Sequence, residues 1–132
     1  MTVIQNSIQI DKNANEVFQF LADCRNHEKL MPSNVYNWSA TEDEARFTIQ
    51  NMAKLALKVE QRVPSSLVTF VPAEKAPFDV SMKWEVNSID ENTSEAKLTI
   101  EADLNMMLKM IASGPLQKLV DHQVQTLKQV LV

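Results

Sequence analysis

Glycine and cysteine are nearly missing: 132 residues contain one of each, Gly114 and Cys24. A single glycine excludes the glycine-rich loops that cradle phosphate groups, and it excludes the GxSxG nucleophile elbow. Turns must instead rely on Asn, Asp, Ser and Pro, which reach turn geometry through local hydrogen bonds or a preset φ. A single cysteine permits no intramolecular disulfide, which fits a reducing compartment. Basic clusters are missing too. Lys and Arg number 13 against 17 Asp and Glu, for a net charge of −4. Nothing in this balance suggests nucleic-acid binding, which usually needs a basic face. No apolar run approaches the ~20 residues that span a bilayer, and Met1 to Ile10 has neither the positive start nor the apolar core of a secretory signal. The expectation is one soluble cytoplasmic domain, residues 1–132, with no membrane span.

What is present is patterned. Hydrophobic residues make up 45% of the chain and charged residues 23%, an ordinary balance for a globular domain. Ile4, Ile8 and Ile10 are spaced by multiples of two, which predicts a first strand over 2–10. Asn13 followed by Glu16 is a capping-box arrangement, and Val17, Phe18 and Leu21 give the short helix after it an apolar face. Asp23 to Met31 reads as a second short helix, stopped by Pro32. From about 34 to 104 the period is two. Tyr36, Trp38 and Ala40 are expected to share one face of a strand; Ala45, Phe47 and Ile49 follow, then Leu55, Leu57 and Val59. Leu67 to Val71 is apolar on both faces, so its orientation stays open. From Phe78 to Asn87 apolar and polar residues alternate without exception, as do Ala96 to Asp103 after a turn at Asp90 to Ser94. Alternation of this kind marks an antiparallel sheet with one buried and one wet face. The segment from about 105 to 131 returns to helical spacing, with Leu108, Ile111, Leu116, Leu119, Val120 and Leu127 among its stripe. Gly114-Pro115 lies inside it and predicts a kink or a break. At 1.5 Å per residue this helix is roughly 40 Å long, enough to lie along the whole sheet.

Strand, two short helices, six strands and a long helix make an α+β layer arrangement. In that order, and in the local patterns Ile10 to Asp23 ("IDKNANEVFQFLAD") and Leu30-Met31-Pro32, the whole chain resembles the START-like superfamily, also called SRPBCC or polyketide-cyclase-like. The resemblance implies a helix-grip fold, a curved antiparallel sheet of about seven strands wrapped around the C-terminal helix. The chain departs from the usual pattern at Lys12-Asn13, where many members have a small residue and then Pro or Ser, and at Asn51, where a glycine often makes the turn. Asn caps helices and tolerates left-handed turns, so the fold is unaffected. The resemblance also implies an incompletely closed gap between sheet and helix that takes an apolar small molecule such as a lipid, a sterol, a quinone or a polyketide.

The candidate ligand-binding residues are the inward-facing set: Trp38, Phe47, Ile49, Leu57, Val59, Met82, Trp84, Leu98 and Ile100 from the strands, with Met107, Met110 and Ile111 from the helix. Met82, Met106, Met107 and Met110 are flexible and polarizable, suited to an adaptable apolar wall or to plain core filling. Catalytic residues, metal ligands and cofactors are not assigned. Asp23, Cys24 and His27 lie close in sequence, yet three potential ligands with no second cluster are a weak metal signal. Cys24 would need a base such as His27 to act as a nucleophile. His122 and the carboxylates of Glu42 to Glu44, Asp90, Glu91, Glu101 and Asp103 read as solvated. The leading expectation is a non-enzymatic binding or carrier domain for an apolar small molecule. A polyketide cyclase or dehydratase would need His27, Asp23 or Tyr36 aimed into the cavity, and a protein-interaction module would need an exposed apolar patch. Nothing in the residues decides between a monomer and a homo-oligomer.

Overall fold

In the computed structural model, which describes residues 2–50, 52–76 and 78–131, β1 (Thr2–Ile10) leads into α1 (Ala14–Leu21) and a short 3-10 helix (Cys24–Leu30). Six strands follow: β2 (Val35–Ala40), β3 (Glu44–Ile49), β4 (Ala53–Val63), β5 (Leu67–Pro72), β6 (Val80–Asp90) and β7 (Thr93–Ala102); α2 (Met106–Val130) ends the chain. The seven strands form one sheet in the order β1-β7-β6-β5-β4-β3-β2, with antiparallel pairing throughout. The sheet curls into a half-barrel with α2 in its grip. This is the α+β helix-grip architecture expected from the sequence.

Local chemistry accounts for the element ends. Asn13 Oδ1 accepts the Glu16 amide at 2.9 Å, and Asn13 Nδ2 donates to Glu16 Oε1 at 3.0 Å, so the cap and the third helical residue hold each other. Val17, Phe18 and Leu21 are buried on the inner side of α1. Asn105 Oδ1 accepts the Leu108 amide at 2.9 Å and starts α2 in the same way. The alternation in β6 and β7 places Met82, Trp84, Val86, Ala96, Leu98 and Ile100 in the core. Val68 and Phe70 are the buried face of β5, which settles the orientation that its two-sided apolar pattern leaves open. The Asn51 turn position lies outside the described residues.

Two expectations need correction. Tyr36 and Trp38 do not share a face. The pairing of β2 with β3 slips by one residue between Tyr36 and Ser39, and Asn37 has a φ of 55°. This bulge inserts one residue and inverts the phase, so Tyr36 is exposed while Trp38 turns inward. Of the kink or break expected at Gly114-Pro115, the break does not occur: α2 runs from Met106 to Val130 with Pro115 inside it. Proline removes the amide that would bond the Ile111 carbonyl, and Ile111 is exposed, so water can take that bond.

Helix α2 buries Ala112, Leu116, Leu119, Val120, Gln123, Val124 and Leu127. Asp121 Oδ1 accepts from Asn6 Nδ2 of β1 at 3.0 Å and from Gln117 Nε2 at 2.8 Å, fixing the helix against the edge strand. Among the described residues no helix is long and apolar enough to cross a membrane.

Candidate functional site

A partly open space of about 40 Å³ lies between the β2–β7 part of the sheet, the 3-10 helix and the middle of α2. Six of the predicted residues line it: Trp38, Phe47, Ile49, Leu57, Met82 and Ile100. Trp38 stacks on Phe47 with ring centroids 5.1 Å apart and planes 19° from parallel, forming one wall. The other six lie elsewhere. Trp84 and Leu98 are fully buried on the correct face, opposite each other in register but off the cavity wall, and Val59 packs against the core beside it. Met107, Met110 and Ile111 are exposed, as is Met106 at 82%. The first turns of α2 carry these side chains on the outside.

Other lining residues were not among the predicted set. Ala45 and Leu55 extend the wall of β3 and β4, Phe70 comes from β5, and Phe78 and Val80 come from the entry to β6. Leu116, Leu119 and Gln123 form the α2 side, and Cys24, His27 and Met31 complete the enclosure. The helical signal for the α2 group was present in the sequence: Leu116, Leu119 and Gln123 follow one another at intervals of three and four. Gln123 is a polar interruption of that stripe.

The 3-10 helix is held in place by backbone and by one arginine. The Cys24 amide donates to the Glu42 carbonyl at 3.0 Å. Arg62 Nε and Nη2 donate to the Ala22 carbonyl at 3.0 and 2.9 Å, and Nη2 also reaches the Glu42 carbonyl at 3.1 Å. The same guanidinium pairs with Asp43 at 2.9 Å. The end of α1 and the β2–β3 turn are thus tied to β4, and Cys24 and His27 are pointed at the cavity from this junction.

These helices and the curled sheet have counterparts among known structures. No family model matches the chain, and no curated protein matches it. XoxI from Bacillus cereus has a TM-score of 0.79 at 14% identity over 99% of this chain and 96% of that one. A START superfamily protein from Mycobacterium smegmatis gives 0.69 at 11% identity, over 98% and 96%. BexL, a di-domain ARO/CYC from the BE-7585A biosynthetic pathway, gives 0.69 at 14% identity, over 98% of this chain and 47% of that one. The fold is START-like. At these identities the likeness is one of fold alone.

Within the START-like frame the cavity wall is electrically quiet. Among the described residues, no Lys, Arg, Asp or Glu lines it. Asp23 turns away to Arg25, whose guanidinium holds its carboxyl below the usual carboxylate range. Burial pushes the Cys24 thiol up to about 11, against the smaller opposing pull of Arg62, so the neutral thiol rather than a nucleophilic thiolate faces the cavity at neutral pH. His27 is buried, and its Nε2–H donates to the Leu21 carbonyl at 2.8 Å. That bond leaves Nδ1 as the acceptor. The ring meets Phe70 edge-on at 5.4 Å. Burial lowers the His27 pKa from its ordinary 6.5, outweighing the opposite effects of the Leu21 carbonyl and Asp23.

A folded-state pKa below the unfolded one means that the unfolded chain binds the extra proton first. The stability contributed by neutral His27 is therefore complete above pH 6.5 and is lost as pH falls below it. One such group contributes a slope of at most about 1.4 kcal/mol per pH unit. His27→Gln keeps a donor for Leu21 and removes the titration. Urea midpoints at pH 7 and pH 5 are expected to fall further in the native protein than in the variant; identical falls would mean that His27 does not carry the effect.

Proposed function

We propose that this START-like protein binds an apolar small molecule in the space between the sheet and α2, and does so without catalysing a reaction. The observation that carries this reading is the wall itself: mostly aromatic, aliphatic and thioether side chains line the space, and among the described residues no Lys, Arg, Asp or Glu does. Burying apolar ligand surface there would supply the affinity, and the few polar groups would supply orientation. At about 40 Å³ the space is far smaller than the roughly 300–1,000 Å³ of typical ligand pockets. Binding therefore requires the wall to widen. Met31 and Met82 are suited to this, because an unbranched thioether changes rotamer cheaply.

A cyclase-type reading, in line with the ARO/CYC neighbour, draws on one observation: His27 lines the cavity and has Nδ1 free to accept a proton. Its lowered pKa makes it a weaker base than a general base matched to neutral pH. The binding reading is preferred for that reason. Of the other two polar candidates for catalysis, Tyr36 is exposed and Asp23 is turned to Arg25.

A thermal-shift panel of fatty acids, sterols, quinones and aromatic polyketides tests the proposal. A binder at 100 times its Kd is expected to add roughly 2.7 kcal/mol of stability. Ala45→Val adds two methyl groups to a buried position on the cavity wall and is expected to abolish the shift while the fold persists. A panel in which no class raises the melting temperature would overturn the reading.

A further inference from the structure

Among the described residues, two polar atoms of cavity-lining side chains are buried without a hydrogen-bond partner. Gln123, on α2, is 1% exposed, and its Oε1 accepts no bond. Trp38, on β2, has a buried Nε1–H that donates to nothing. Most buried polar groups in folded proteins are paired, so an orphan acceptor and an orphan donor on one small space call for an explanation. Trp84 Nε1 is also unpaired, but it lies in the packed core away from that space, where nothing can approach it. Gln123 differs, since its place on α2 falls in the same stripe as Leu116 and Leu119, where an apolar side chain would pack without cost.

Resting on the binding reading above, we propose that the occupant of the cavity is a neutral hydroxyl compound, an alcohol or a phenol on an apolar body, and that Gln123 selects it. A hydroxyl donates one hydrogen bond and accepts others. It can therefore give its proton to Gln123 Oε1 or offer a lone pair to Trp38 Nε1–H. If the amide rotates by half a turn, Nε2 becomes the donor and a hydroxyl still fits. A carboxylate or an ammonium does not, because the wall has no opposite charge for it and burying an unpaired ion is costly. A pure hydrocarbon fits the apolar wall but leaves both polar atoms as they are in the empty protein.

The test uses two probes of one shape, 2-naphthol and 2-methylnaphthalene, titrated calorimetrically into the native protein and into Gln123→Met. Methionine keeps the length of the side chain and removes its hydrogen bonding. The ratio of the two affinities is expected to shift toward 2-methylnaphthalene by about tenfold in the variant, the worth of one net hydrogen bond. Trp38→Phe, which retains an aromatic ring beside Phe47, is expected to shift the ratio in the same direction, and it carries the test alone if Gln123→Met does not fold. A merely structural role for either residue would weaken both probes together and leave the ratio in place. Binding of both probes with an unchanged ratio overturns the hydroxyl assignment and leaves the binding reading standing. Binding of neither probe to the native protein overturns the hydroxyl assignment, and the binding reading then falls only if the thermal-shift panel is also negative.

Discussion

Trp84→Ala is expected to destabilise the protein by about 3–5 kcal/mol, measured as the change in unfolding free energy from urea titration. Trp84 is 0% exposed and is the largest of the fully buried side chains. It stands opposite Val68 of β5 and Leu98 of β7, so one indole fills the layer at the centre of the sheet. Truncation removes its buried surface and leaves a hole that the paired strands cannot collapse into, because their backbone ladders are fixed on both sides. Against a typical total of 5–15 kcal/mol, this is a large share of the stability. Trp84→Phe separates the two contributions of the side chain. It keeps most of the ring and deletes an N–H that has no partner, so its net cost is expected to stay within about 1.5 kcal/mol. A loss below about 1 kcal/mol for Trp84→Ala would mean that the indole is not the core element described here. Trp38 contrasts with it. Trp38 is only partly buried and lines the cavity, so its replacement is felt first in ligand selectivity.

The contrast between the two tryptophans shows what the sequence contained. Alternation along a strand identifies the buried face, because successive side chains point to opposite sides of the sheet. It therefore placed Met82, Trp84, Leu98 and Ile100 on the inner face, as found. Alternation does not tell how far along the strand the gap under the helix lies. Met82 and Ile100 reach it, and Trp84 and Leu98, two residues farther along, do not. The same limit explains Met107, Met110 and Ile111. Helical spacing gives an angle around α2, and the sheet supports only part of its length, from about Ala112 onward. The β2 bulge was invisible for a different reason. Asn37 at a φ of 55° is a single-residue event, and many Asn residues in strands and turns never adopt it. Gln123 was missed for a third reason. It is a polar residue at a core interval of a helix whose neighbours there are Leu and Val, and a stripe read from its apolar members alone passes over such an interruption.

Gly114→Ala/Pro115→Ala is expected to raise the unfolding free energy by about 2–3 kcal/mol. Inside a helix glycine is about 1 kcal/mol, and proline about 3 kcal/mol, less favourable than alanine. Neither residue is compensated by packing: both are exposed, and a Cβ added at Gly114 meets nothing within 4 Å. Gly114 has no positive φ, so alanine adopts its backbone without strain. The restored amide at position 115 can bond the Ile111 carbonyl and complete the ladder of α2. Part of the gain is offset because proline also restricts the unfolded chain, an effect of about 0.4–1 kcal/mol. The double substitution thus stabilises the one place where α2 is weakest, just before Leu116, Leu119 and Gln123 reach the cavity. A space of about 40 Å³ has to widen to hold a molecule the size of 2-naphthol, and bending α2 at its interrupted ladder is a cheap way to widen it. The stiffened variant is therefore expected to take up 2-naphthol more slowly in stopped-flow fluorescence, along with its higher urea midpoint. A midpoint that does not rise would show that the helix is already relaxed around Pro115; a higher midpoint with unchanged uptake would locate the widening in the Met31 and Met82 side chains instead.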